Sequence, residues 1–265
     1  MIGMAVNPAM EPNLNEPAHE PQTSEPSRAP QGRVTRMLLR WLMRPARVAG
    51  IKTLSPHFRL VELEGEALRN VAWAAGDKIQ VAMGSGLSAR TYTPMWWDAG
   101  NGRTRLLAFA HGEGPGSRWA SSLREGDSCQ FFGPRRSLDL ADLQAPIVLF
   151  GDETSFGLAA ALRDSLQAGG ALHLSEAADI AESRLVLDSI GLGHARLMAR
   201  SADDTHLATA ESELLRLAAN GAQFVLLTGK ASSIQRVGRA LKAAGVASSR
   251  IRAKAYWATG KTGLD

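Results

Sequence analysis

The chain has 265 residues, of which 45% are hydrophobic, and a formal net charge of +4. This length can hold one large domain or two of ordinary size, and two is the better expectation. The single cysteine, Cys129, excludes an intrachain disulfide, an iron–sulfur cluster and any zinc site that needs two thiolates. No apolar run approaches the ~20 residues that cross a bilayer, and no secretory signal opens the chain, so we expect a cytoplasmic protein.

The first 45 residues divide by composition and charge. Residues 1–31 are rich in Pro, Glu, Asn and Ser and poor in large apolar groups, which predicts a disordered tail. In residues 32–45, apolar side chains recur at helical spacing and arginines occupy another face of 33–44, which predicts a basic amphipathic helix ending at Pro45. We expect its apolar face to pack on the chain's own core, and peripheral contact with an anionic membrane or an acidic partner is the alternative.

Short strand-forming runs separated by turns follow, and they predict a six-stranded antiparallel β-barrel over residues 46–140. The runs cover residues 48–54, 58–63, 78–83, 89–94, 104–110 and 128–132. A glycine-rich turn interrupts them and opens one short helix, predicted over residues 116–123.

From residue 145 to residue 265 strands and helices alternate, which predicts a doubly wound parallel sheet of the nucleotide-binding type. The predicted strands cover residues 147–150, 171–175, 196–200, 224–228 and 251–257. The predicted helices include residues 154–168, which we expect to end at Gly169-Gly170, and residues 209–219 and 232–244.

Two segments of the predicted barrel carry the residue types that a flavin needs. In Arg90-Thr91-Tyr92-Thr93-Pro94, a ring can stack on the isoalloxazine, a hydroxyl can reach N5 and a cation can reach the phosphates. The second segment, residues 111–119, opens a helix whose backbone N–H groups can hold a pyrophosphate. Either segment alone is explained as well by an ordinary strand or a structural turn, whereas the pair favours a flavin site.

The order of motifs is more specific than any one of them. R-x-Y-T-P, H-G-x-G-P-G-S-R-W-A, G-P-R, G-D-E-T and a terminal Y-W-x-x-G together resemble the siderophore-interacting protein family, over about residues 48–260. The resemblance implies an FAD-dependent ferric-siderophore reductase of the ferredoxin-NADP reductase superfamily. It also implies that FAD is bound at the isoalloxazine side by Arg90, Tyr92 and Thr93, and along its ribityl and pyrophosphate portion by His111, Gly112, Gly114, Pro115, Gly116, Ser117 and Trp119.

The G-D-E-T motif follows the first strand of the α/β region, where such a domain binds a nicotinamide pyrophosphate. Asp152 favours the helix dipole but repels phosphate, so we expect weak, transient binding of NADH or NADPH with Thr154 as a contact, or a purely capping role. Glu176 follows the second strand, where a carboxylate would bind a ribose hydroxyl and favour NADH. Tyr256 and Trp257 end the last strand, and in the superfamily such terminal aromatics lie close to the flavin. Packing at the domain join is the alternative.

The chain departs from the family pattern at two positions. Met95 stands where R-x-Y-T-x-R has its second arginine, and Lys230 stands where G-E-A has glutamate. These departures leave open whether the acceptor is a ferric siderophore or instead free flavin, a quinone or a protein. A separate alternative is a non-catalytic flavin or ligand carrier that docks through residues 33–44.

An anionic ferric siderophore requires cations near the flavin edge. Arg135 is the first candidate for that role, with Lys52, Arg136, Lys254 and Lys261 as weaker ones. The chelator holds the iron, so we expect no metal ligand on the protein. We expect a monomer with no nucleic-acid partner, and a transient protein electron donor remains an alternative to NAD(P)H.

Overall fold

A computed structural model describes residues 43–83, 88–166 and 170–261. The predicted tail and most of the predicted amphipathic helix lie outside these residues. The helix prediction is wrong at its end, because Arg44 and Pro45 belong to strand β1 (Arg44–Thr53). They pair with Phe131 and Gln130 of strand β7 (Ser128–Arg136), and such pairing at the start of a strand tolerates proline.

The first half of the chain forms a seven-stranded antiparallel, barrel-like sheet in the order β4-β3-β7-β1-β2-β6-β5. Besides β1 and β7, its strands are β2 (Phe58–Glu64), β3 (Asp77–Met83), β4 (Ser88–Tyr92), β5 (Trp96–Asp98) and β6 (Arg103–Phe109). The predicted fold class is confirmed with one strand more than expected. The extra strand, β5, has three residues and follows Pro94, so it is too short to carry an alternating pattern. Alternate residues such as Val61, Val81 and Phe131 are fully buried inside the sheet.

The second half forms a parallel sheet in the order β10-β9-β8-β11-β12, which confirms the doubly wound prediction. Its strands are β8 (Ile147–Gly151), β9 (Ala171–Ala177), β10 (Arg196–Ala199), β11 (Phe224–Lys230) and β12 (Ile251–Trp257). The order reverses between β8 and β11, and nucleotide-binding sheets have their crevice at the carboxyl ends of the strands at such a point.

Five α-helices connect these strands in the described residues: α1 (Pro115–Ser122), α2 (Phe156–Ser165), α3 (Ile180–Ser189), α4 (His206–Ala219) and α5 (Ala231–Ala243). A 3-10 turn, Glu153–Ser155, precedes α2. Helix α2 ends before the predicted Gly169-Gly170 cap, because Leu166 is already extended. No helix among the described residues is both long and apolar enough to span a membrane.

An aromatic stack joins the two halves. The ring of Phe58 in β2 lies 4.6 Å from that of Phe109 in β6 and 5.8 Å from that of Phe156 at the start of α2. Met95 is 5% exposed and belongs to the same buried cluster. Thr93, two residues before Met95, also lies against α2, since a Cβ on Gly157 would lie 3.0 Å from its carbonyl oxygen. The end of β4 is therefore held directly against the α/β half.

Candidate flavin site and nucleotide crevice

Arg90 and Tyr92 lie on one face of β4, because they pair with the buried Val81 and Ile79 of β3. The Tyr92 ring packs against that of Trp119 in α1, with 5.5 Å between centroids. Burial raises the pKa of Tyr92 well above its usual value, and Arg90 only partly opposes this. The tyrosine is therefore a neutral ring beside a cation, which suits stacking on a planar cofactor.

The glycine-rich turn before α1 is braced from within. The Ser117 hydroxyl donates to the carbonyl oxygen of His111 at 2.8 Å, so it stabilises the turn and is not free for phosphate. Helix α1 begins after Gly114 without a side-chain cap, and the first amides of a helix have no partner inside the helix. The Arg90 side chain packs against the first turn of α1, since a Cβ on Gly116 would lie 3.1 Å from the Arg90 Cγ. A cation and uncapped amides therefore meet at one place.

Gly114, just before α1, faces open space. Its φ is −66°, which any residue adopts, and a Cβ added there would meet no protein atom within 4 Å. Neither backbone strain nor packing within the protein therefore requires glycine at this position. Open space over a backbone turn at a helix N-terminus fits the pyrophosphate of a dinucleotide cofactor. Gly112 also faces open space, but its φ of +68° favours glycine by itself.

The end of β12 faces the same region. The Thr93 hydroxyl donates to the hydroxyl oxygen of Tyr256 at 3.5 Å, and burial raises the pKa of Tyr256 to about 12. The Trp257 ring lies 6.3 Å from the ring of His111. Burial lowers the pKa of His111, which favours the neutral imidazole. The structure thus brings Thr93, His111, Tyr256 and Trp257 together with Tyr92 at the junction of the two halves.

Residues 82–138 match a family model described as the siderophore-interacting FAD-binding domain. The matched segment contains β4, the glycine-rich turn, α1 and the G-P-R motif. This segment is therefore similar to a siderophore-interacting FAD-binding domain. The family resemblance predicted from the motifs is confirmed, although no curated protein matches the chain.

Solved structures share the two-domain architecture. A siderophore utilization protein from T. fusca is 23% identical, with a TM-score of 0.66 over 84% of this chain and 95% of its own. The siderophore-interacting protein SipS from Aeromonas hydrophila is 19% identical, with a TM-score of 0.67 over 83% of this chain and 92% of its own. The ferredoxin reductase in carbazole 1,9a-dioxygenase is 15% identical, with a TM-score of 0.67 over 81% of this chain and 69% of its own. At these identities the likeness shows a ferredoxin reductase-like fold, in which the FAD-binding domain is followed by the α/β domain.

The start of the α/β crevice is filled by the chain's own carboxylate, which corrects the predicted nucleotide contacts. Asp152 is fully buried and accepts hydrogen bonds from the backbone N–H of Thr154 at 2.9 Å and from the Thr154 hydroxyl. Burial raises the pKa of Asp152 to about 6, although the hydrogen bonds from the Thr154 hydroxyl and from Trp257 oppose the rise. Both Thr154 donors are thus already used, and a negative charge lies where a pyrophosphate would bind.

The predicted ribose contact at Glu176 is also wrong, because this side chain is 1% exposed. It accepts from His206 Nε2 at 2.6 Å and from the Ser233 hydroxyl at 3.0 Å. Nδ1 of His206 accepts from the backbone N–H of Ser201, which leaves the imidazole proton on Nε2 when the ring is neutral. Arg200 completes this buried cluster through a 2.5 Å ion pair with Glu153. Glu176 is therefore occupied by contacts within the α/β domain and is not exposed to a ribose.

The predicted acceptor-binding cations do not gather at the flavin site. Arg135 lies with its guanidinium 4.4 Å from the centre of the Phe132 ring and bonded to Gln80 at 2.8 Å. Phe132 on β7 and Gln80 on β3 each lie between buried neighbours, so their side chains are on the outer face of the sheet. Arg135 contacts both and therefore lies on that face, away from Tyr92. Arg136 pairs with Asp139. The remaining candidates lie on β1 (Lys52), on β12 (Lys254) and after β12 (Lys261).

The two departures from the family pattern have structural consequences. Met95 packs in the apolar junction of the two domains. A packing contact therefore stands where the family pattern has an arginine. Lys230 forms an ion pair with Asp204 at 3.0 Å, within the α/β domain. Among the described residues, no group of three or more His, Cys, Asp or Glu side chains is placed to hold a metal ion.

Proposed function

We propose that the protein is a flavin-dependent reductase that passes electrons from NADH or NADPH to Fe(III) held by an anionic siderophore. The observation that carries the FAD half is the turn at Gly114, which faces open space beside Arg90 and needs no glycine for its own packing. When bound, FAD accepts a hydride from a nicotinamide and delivers single electrons to iron, so one NAD(P)H reduces two Fe(III).

The chain's own residues supply binding and orientation. Arg90 and the first amides of α1 would hold the pyrophosphate, and the neutral Tyr92 ring would lie against the isoalloxazine. The contact between Thr93 and Tyr256 would fix one side of the site, and Trp257, beside His111, would cover its mouth. Cover by aromatic rings excludes water from a reduced cofactor.

The acceptor is proposed to bind outside the protein core, with its iron held by the chelator alone. Hard anionic oxygen ligands bind Fe(III) far more tightly than Fe(II), so reduction by itself releases the metal. The names of two structural neighbours, a siderophore utilization protein and a siderophore-interacting protein, support this acceptor class. Among the predicted cations, Lys254 has the best position, two residues before Tyr256 on β12.

Anaerobic stopped-flow spectroscopy tests the proposal. Purified protein reconstituted with FAD is mixed with NADH or NADPH, and bleaching of the flavin band is expected. Mixing the reduced protein with a ferric catecholate or hydroxycarboxylate should restore the band and yield Fe(II), trapped by a ferrous-specific chelator. Protein that stays colourless with FAD refutes the cofactor. Reoxidation by a quinone or free flavin, with none by the ferric chelates, refutes the acceptor.

A further inference from the structure

The Asp152 carboxylate joins the ends of three strands of the α/β sheet. It follows β8 and accepts the backbone N–H of Lys230, at the end of β11, at 2.8 Å. The same oxygen, Oδ2, accepts the indole N–H of Trp257, at the end of β12, at 2.7 Å. Gly229 makes this approach feasible, because its φ is +100° and a Cβ there would lie 2.5 Å from Oδ2.

The partners of Asp152 differ in their freedom to move. The N–H group of Lys230 belongs to the last residue of β11, and that of Thr154 belongs to the 3-10 turn. Because both are backbone groups of regular elements, they fix the carboxylate in place. Trp257 is only half-buried and is the last residue of the last strand. Hydrogen bonds to a buried carboxylate are strong, because the charge has no water to replace a lost donor. The carboxylate is thus the fixed member of the pair and the indole the movable one.

We propose that Asp152 is a positioning residue that latches Trp257 across the mouth of the flavin site beside His111. An electron donor that approaches the flavin from the α/β side must break the hydrogen bond between Asp152 and Trp257. The inference deepens the proposed function and rests on it for the identity of the donor. It gives Asp152 a role within the protein, at the G-D-E-T motif for which the sequence predicts weak nucleotide binding or capping.

The latch is tested first without cofactor, in the full chain. The indole N–H of Trp257 is assigned by NMR as the signal that Trp257→Phe removes. Its exchange with solvent is expected to be slowed at least about tenfold relative to a free indole, and Asp152→Ala should abolish the protection. Free exchange in the parent protein overturns the proposal, whether or not FAD or NAD(P)H binds.

The second test measures the donor concentration that gives half-maximal flavin reduction. Trp257→Phe keeps an aromatic side chain, although a smaller one, and removes the N–H donor, so a latch predicts that this concentration falls about tenfold, the scale of one charged hydrogen bond. Asp152→Ala, if it folds, should lower it at least as much, because it breaks the same hydrogen bond and also removes the negative charge that lies where a pyrophosphate would bind. Trp97→Phe is the matched control, since its indole donates to the carbonyl of Leu68 in the FAD-binding domain, and it should leave the value unchanged.

The outcomes separate the latch from the proposed function. An unchanged half-saturating concentration in Trp257→Phe overturns the latch while the reductase stands. Absence of reduction by either nucleotide refutes the donor, and the exchange measurement then decides the latch alone.

Discussion

Gly114→Ala separates cofactor binding from protein stability. Replacing glycine by alanine at an ordinary φ raises the free energy of unfolding by about 0.4–1 kcal/mol, because the unfolded chain has lower entropy. Gly114 also caps α1, and loss of a favourable N-cap residue costs a similar amount, about 0.5–1 kcal/mol. Because the new methyl group meets no protein atom within 4 Å, the two effects nearly cancel, and the free energy of unfolding without FAD should change by less than about 0.5 kcal/mol.

FAD affinity should fall in the same variant. A methyl group in the open space over the turn displaces the pyrophosphate from at least one charged hydrogen bond, worth about 1.5–3 kcal/mol. The dissociation constant then rises roughly 10- to 150-fold. At FAD equal to 100 times the parent's constant, ligand stabilisation falls from about 2.7 to about 1.4 kcal/mol or less.

Thermal unfolding with and without FAD measures both quantities in one experiment, and equilibrium titration gives the constant directly. Gly112→Ala is the contrasting variant, because its φ of +68° should make it less stable without FAD as well. Parent-like FAD affinity in Gly114→Ala would show that the open space does not hold the cofactor, and would refute the placement of the pyrophosphate.

Three further outcomes are expected. Arg90→Ala should weaken FAD binding by about 1.5–3 kcal/mol with an unchanged circular dichroism spectrum, and retention of yellow colour at dilute protein would contradict this. Met95→Ala should lower the free energy of unfolding in urea by about 2–5 kcal/mol, as expected for a residue 5% exposed in a core. Asp152, with a pKa raised to about 6, keeps a proton that the unfolded chain has lost, so its contribution to stability should fall by up to about 3 kcal/mol as pH rises from about 4 to 6. The difference in the free energy of unfolding between the parent and Asp152→Asn, followed against pH, isolates the contribution of Asp152. It removes the contribution of His173, which has the opposite sign because burial lowers the pKa of that residue to about 4.

Local patterns predicted the FAD-binding half well. Arg90 and Tyr92 are two residues apart on one strand, and the glycine-rich turn precedes its helix directly, so alternation and helix-start chemistry place them correctly. The roles in the α/β half were predicted less well, because they depend on partners far along the chain. Glu176 is buried by residues 30 and 57 positions away, and Asp152 meets Trp257 across 105 positions.

The stack of Phe58, Phe109 and Phe156 bears on how this molecule can be rebuilt. Two of its rings come from the FAD-binding domain and one from the first residue of α2. A chimera that receives a foreign α/β domain to change its electron donor would leave Phe58 and Met95 facing a surface not shaped for them. The first turn of α2 should therefore be kept with the FAD-binding half, and the exchange made beyond it.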